Sequence, residues 1–241
     1  MDAKKLLFFS SLLPLLFLPG YPSGAGLAAE VGSRENLDLP FNVGVSFEDD
    51  EVAPEFLIFF GQLYEADSVI FTLDKSGSMD SQNRWKIQSQ EVMRSVNELS
   101  ERAEFGIVYY GSRVEPMRKV PIEGTPSGKS AAMAFVKSHR PQGDTCLFEG
   151  LAEALRIVQR SKSERRAIIV TSDGKPDVCS TGDLATAPQI DALIAKSVAG
   201  NPGLKVRVHT IWVGAGNNRE AINFMQRLAS AHGGTFRSIS R

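Results

Sequence analysis

The sequence has little cysteine and little histidine, two and three residues in 241. They are scattered, so no cluster of His and Cys ligands is available for zinc. Charge of one sign is not in excess either: 27 Lys and Arg stand against 28 Asp and Glu, a formal net charge of −1. Binding to a phosphate backbone draws on a basic surplus, and the local groups Arg113 to Lys119 and Lys162 to Arg166 read as turns and helix ends beside strands. No nucleic-acid partner is expected. After the first 25 residues no run approaches the roughly 20 apolar residues that span a bilayer. No Walker sequence and no G-x-G-x-x-G loop stands where a nucleotide site would need one.

What is present begins with an address. Lys4 and Lys5 precede the apolar run LLFFSSLLPLLFLPG, and Ser23-Gly24-Ala25 follows with the small residues that a signal peptidase requires. Residues 1–25 therefore read as a secretory signal peptide, and the mature chain as secreted or periplasmic with no stable membrane insertion. The alternative is a membrane anchor left uncleaved, against which the shortness of the run and Pro14 both count. No cysteine follows the run, so a lipoprotein anchor is not expected.

Residues 26–66 read as a linker or N-terminal arm, with the acidic run FEDDE and no sustained periodicity. Within it FLIFF, residues 56–60, is apolar enough to dock, with a short strand as one form, and whether it joins the core is open. Residues 67–241 are regular. VIFTL (69–73), FGIVYY (105–110), the run RAIIVTS before Asp173, VRVHTIWVG (206–214) and Thr235 to Ile239 are strand-like. Val114 to Val120, just past the Gly111-Ser112 turn, is expected to be an antiparallel neighbour of the second strand.

Between these runs, apolar residues recur at helical spacing: Trp85 to Leu99, Ser127 to His139, Leu147 to Val158, Ile190 to Val198, and the segment of Ile222, Met225 and Leu228, which Asn217 or Asn218 can cap. Strands alternating with helices predict an α/β fold: a doubly wound, mostly parallel sheet with one antiparallel edge strand and helices on both faces. Ligands of such sheets bind beyond the carboxyl ends of the strands.

The polar motifs fall at that edge. Asp74-Lys75-Ser76-Gly77-Ser78 follows the first strand, Thr145 precedes the Leu147 helix, and Asp173 directly follows RAIIVTS. Two carboxylates and three hydroxyls from three loops form a hard-oxygen set suited to Mg²⁺, with Mn²⁺ or Ca²⁺ possible.

With these residues the chain resembles the von Willebrand factor type A family, through SVIFTLDKSGSM, DTCLFEGLAEAL and IIVTSDGKP. The resemblance implies a metal-ion-dependent adhesion site, whose roles fall on Asp74, Ser76, Ser78, Thr145 and Asp173. In the family the serines ligate the ion, the threonine does so in some states, and the aspartates often act through water. Neutral hydroxyls leave the ion with residual positive charge, so the implied partner is a protein ligand with an exposed Asp or Glu. Asp144 stands where the family usually has Gly, which adds negative charge to the rim. The fold places the Thr145 and Asp173 loops side by side, so a Cys146–Cys179 disulfide is geometrically feasible. Two separate thiols are the alternative.

The expected function is thus an exported, metal-dependent protein-binding domain for adhesion or envelope assembly, and not an enzyme. One alternative is a scaffold with a purely structural ion. Another is a Mg-dependent hydrolase with Asp74 as nucleophile, but Ser76 stands where the phosphate-transfer motif has a second Asp. On this reading Lys75 is a surface lysine at the strand end, not a phosphate clamp. His139, His209 and His232 have no identifiable Ser and acidic partner and read as structural. Phe148, Trp85 and Tyr110 are expected to be buried.

Overall fold

In the computed structural model residues 53–214 and 218–239 are described; the expected signal peptide, most of the arm and Asn217 lie outside them. A hairpin, β1 (Phe56–Phe59) and β2 (Gln62–Glu65), leads into β3 (Ser68–Asp74). A 3-10 turn over Gly77–Asn83 connects β3 to α1 (Arg84–Glu98), and β4 (Glu104–Tyr110) follows. Then come β5 (Val114–Pro116), β6 (Ile122–Glu123), α2 (Pro126–Ser138), α3 (Leu147–Val158) and β7 (Arg166–Ser172). The small hairpin β8 (Asp177–Val178) and β9 (Asp183–Leu184), α4 (Ala187–Ala199), β10 (Val206–Trp212), α5 (Arg219–Ala231) and β11 (Phe236–Ser238) complete the order.

The main sheet runs β11-β10-β7-β3-β4-β5, with β6 also on β4, and only β5 and β6 are antiparallel to their neighbour. All seven residues of β3 are buried, as a central strand covered on both faces requires. Its side chains alternate between two cores. Val69, Phe71 and Leu73 join Val92 and Val96 of α1 and Ala132 of α2. Ile70 joins Leu147 and Leu151 of α3, Ile190 of α4, and Phe224 and Leu228 of α5. Each such side chain contributes about 1.5–3 kcal/mol by leaving water, so the central strand is anchored from both sides.

FLIFF does join the core. Phe60 and Gly61 sit at positive φ (50° and 70°) in the two-residue turn, a backbone that matches the twist of a hairpin. Leu57, Phe59 and Tyr64 are thereby buried with the α1 face, while Phe56, Ile58 and Leu63 point outward.

At the other edge, the single strand expected over Val114 to Val120 is two short strands. Pro116 ends the first and Pro121 precedes the second; neither has an N–H for the ladder. Helix starts follow their caps: Thr125 Oγ1 accepts from Gly128 N (3.3 Å), Thr186 forms a capping box with Gln189, and Asn218 Oδ1 accepts from Ala221 N (3.2 Å). Among the described residues no helix is long and apolar enough to cross a membrane.

Candidate functional site

In register, Asp74 lies opposite Tyr110 of β4 and one step beyond the Leu73–Thr171 pair of β3 and β7. The three expected loops therefore meet at the carboxyl edge. Burial of β3 continues into the loop, and Asp74 is completely enclosed. Its Oδ1 accepts from Ser76 N (2.7 Å), a turn that folds the chain back over the strand end. Its Oδ2 accepts from Ser172 Oγ (2.9 Å), and its backbone carbonyl accepts from Gln88 Nε2 of α1 (2.8 Å).

The hydroxyls continue the chain of oxygens. Ser76 Oγ and Ser78 Oγ are 3.0 Å apart, and Ser78 Oγ donates to Asp173 Oδ1 (2.7 Å). Four of the five residues singled out from sequence thus stand in one local network. Gly77 N donates to Gly143 O (2.9 Å), which ties this turn to the loop before Thr145. Gly143 is at φ 83°, and a Cβ there would stand 2.4 Å from Ser112 Oγ, so only glycine fits.

Thr145 is held differently. Its N–H donates to Asp177 Oδ2 (2.6 Å), and its carbonyl accepts from Asp177 N (3.0 Å) and Leu147 N (2.8 Å). Next to it Cys146 is disulfide-bonded to Cys179, with the Cα atoms 5.5 Å apart. Among the described residues no hydrogen bond links the Thr145 hydroxyl to the other four residues. Donor atoms of Cys146, Glu149 and Cys179 do gather within 4.8 Å, but the bridge uses both sulfurs and leaves no thiolate. Asp144 accepts from Ser112 Oγ (2.8 Å), and its own N–H donates to the same oxygen (2.9 Å), so it fastens the loop.

The electrostatics single out Asp74. Burial first, and the nearby Asp173 charge second, push its carboxyl up to about 7. Among the described residues it has no ion-pair partner, and two donated hydrogen bonds only partly offset its loss of water. The cations nearby are engaged elsewhere. Arg84, at the start of α1, pairs its guanidinium with Asp173 Oδ2. Lys75, expected on the surface, is buried and pairs with Glu115 (2.7 Å). Glu115 also meets His139 Nε2 (3.0 Å), and although its burial works upward, Lys75 and His139 hold its carboxyl below the usual range.

The other candidates take structural places. His209 Nδ1 meets Thr235 Oγ1 (2.9 Å), and burial, then Arg207, lowers its pKa to about 4. His232 lies between Ser197 Oγ (2.9 Å) and Asn201 Nδ2 (3.0 Å). Phe148 and Tyr110 are buried, and Tyr110 donates to Thr171 O (2.5 Å). Trp85 is partly buried against the Tyr109 ring, centroids 5.3 Å apart.

The donor set fits a hard divalent cation: two carboxyl groups, one of them buried without a counter-charge among the described residues, beside two adjoining hydroxyls. Sequence reasoning missed Arg84 and Asp177. Asp177 lies four residues past Asp173 and could have been noticed as a further acid in the same loop.

The profile of the von Willebrand factor type A domain matches residues 69–175, from β3 to just beyond Asp173. The chain is 24% identical over 172 residues to inter-alpha-trypsin inhibitor heavy chain H3 of Homo sapiens, an alignment covering 71% of this chain and 19% of that protein. It thus spans about a fifth of that relative's length. Among solved structures it superposes on the von Willebrand factor type A protein of Catenulispora acidiphila with a TM-score of 0.60 and 21% identity, covering 73% of this chain and 40% of that one. It also superposes on the pilus adhesin SpaC of Lactobacillus rhamnosus GG with a TM-score of 0.55 and 15% identity, covering 72% and 28%. These matches agree with the strand order: the described chain has a von Willebrand factor type A fold.

Proposed function

Taking that fold as premise, we propose that this chain is an exported protein-binding domain, secreted or periplasmic, with an adhesive or envelope-assembly role. Asp74, Ser76, Ser78, Thr145 and Asp173 would hold one divalent ion, Mg²⁺ or else Mn²⁺ or Ca²⁺. The observation that carries the reading is the completely buried Asp74 carboxyl, which no cationic side chain among the described residues neutralises. Without an ion such a group keeps its proton up to about pH 7, and its ionised form would be stabilised by a cation.

A bound ion would supply residual positive charge able to receive a carboxylate of a protein partner. The chain's own residues provide the frame. Ser76 and Ser78 present neutral oxygens, Asp74 and Asp173 orient what lies above them, and the disulfide with Asp177 fixes the Thr145 loop. The Gly77–Gly143 bond, the Asp177–Thr145 bonds and the disulfide already join the loops. An ion is therefore not needed as the tie, which favours a binding role over a purely structural one. The pilus adhesin among the structural matches supports the same reading.

The test is capture of a carboxylate-bearing peptide by the full chain. Binding with Mg²⁺ present, lost on chelation and absent for the amidated peptide, is the expected result. Equal binding with and without chelator would refute the proposal.

A further inference from the structure

We infer that Arg84 is an intramolecular counter-cation for Asp173 that competes with the divalent ion and so sets the site's ion affinity. This rests on the metal-binding reading above. The guanidinium Nη1 pairs with Asp173 Oδ2 and lies 3.3 Å from the Ser78 carbonyl, while Nη2 donates to Gln82 Oε1 (2.7 Å). Both partners are withdrawn from solvent, with side-chain exposures of 16% for Arg84 and 0% for Asp173. A pair so enclosed is weakly screened, unlike a surface ion pair.

The backbone before Arg84 is bent to deliver it. Gln82 and Asn83 both adopt left-handed backbone, φ 55° and 59°, although neither is glycine. Two consecutive residues in that region cost free energy that an unstrained entry to α1 would not. The result is that Arg84 stands at the first position of the helix with its side chain on the site.

The chemistry explains why such a cation is a competitor and not a replacement. The guanidinium donors go to Asp173, the Ser78 carbonyl and Gln82, and among the described residues none reaches the hydroxyl lone pairs of Ser76 or Ser78, which stay free for an ion. Among the described residues the guanidinium makes no pair with Asp74. The arginine thus keeps Asp173 paired when no ion is bound, and it lowers the negative potential that attracts one. An arriving ion has to share or displace it. Arg84 is a positioning and affinity-setting residue, not a ligand.

The experiment is direct titration of the full chain with Mn²⁺, read by electron paramagnetic resonance, for wild type, Arg84→Met, Arg84→Gln and Arg84→Lys. Removing a positive charge this close to a divalent ion is expected to tighten binding about tenfold or more in Arg84→Met and Arg84→Gln. Arg84→Lys, which keeps the charge, is expected to stay near wild type. Arg84→Gln retains a donor for Asp173 and serves if the Met variant folds poorly.

If Arg84 merely braced the loop, the neutral variants would lose ion-free thermal stability without binding Mn²⁺ more tightly. Unchanged or weaker binding in folded neutral variants overturns this inference and leaves the metal site standing. Absence of Mn²⁺ binding in all four proteins, wild type included, overturns both.

Discussion

Two halves of one site are built by different means. The half made by Asp74, Ser76, Ser78 and Asp173 is a run of short polar contacts around a buried carboxyl that has no counter-charge among the described residues. The half made by Thr145 is clamped by the Cys146–Cys179 bridge and by Asp177, with its hydroxyl outside that polar run. The first half is electrostatically unfinished, and on the proposed reading a cation completes it. The second is mechanically finished before any ion arrives. A binding site gains from this division, because rigid loops lower the ordering cost of capture while the unneutralised charge supplies the attraction.

The comparison can be broken first at the covalent clamp. The bridge closes a sequence separation of 33 residues, and the chain-entropy argument gives it about 3 to 4 kcal/mol. Replacing both cysteines by alanine is expected to lower unfolding free energy in urea by that order, while ion binding weakens but persists. Loss of ion binding in a folded double variant would mean that the two halves are not separable.

It can be sharpened by pH. The Asp74 carboxyl is raised from 3.8 to about 7 by burial and by Asp173. In that interval the folded state holds a proton that the unfolded state has released, so ion-free stability falls as pH rises from about 4 through about 7. A loss of about 2 kcal/mol between pH 5 and pH 7.5 is expected in chelator. Ion favours the charged carboxylate, so excess Mg²⁺ should flatten the slope, and Asp74→Asn should remove it. A flat ion-free profile in wild type would contradict the description of Asp74 as uncompensated.

How much of this was legible beforehand follows the same division. The all-buried run of β3, the helical spacing of α1 to α5 and the Asp-x-Ser-x-Ser turn are local patterns, and each lies where its period placed it. The network around Asp74 was legible because its residue types and strand-end positions define it. Arg84 was not, since its aim depends on two consecutive left-handed residues, Gln82 and Asn83, of which only Asn commonly takes that backbone. Asp177 was hidden because its role depends on how the loop after β7 returns to Thr145, a contact across 32 residues.

Short elements were the other blind spot. FLIFF is too brief for a period to show, and β8 and β9 have two residues each. The edge strand was read as one piece because apolar patterning does not register what Pro116 and Pro121 withhold from a ladder. Lys75 looked like a surface residue until the fold brought Glu115 against it.

The central claim, that the unfinished half holds a divalent ion, is tested most directly by isothermal titration calorimetry of the full chain with Mg²⁺, Mn²⁺ and Ca²⁺, beside Asp74→Ala. Saturable binding of one ion by wild type, absent from a folded Asp74→Ala protein, is the expected result. No binding by well-folded wild type, or equal binding by the variant, would contradict it.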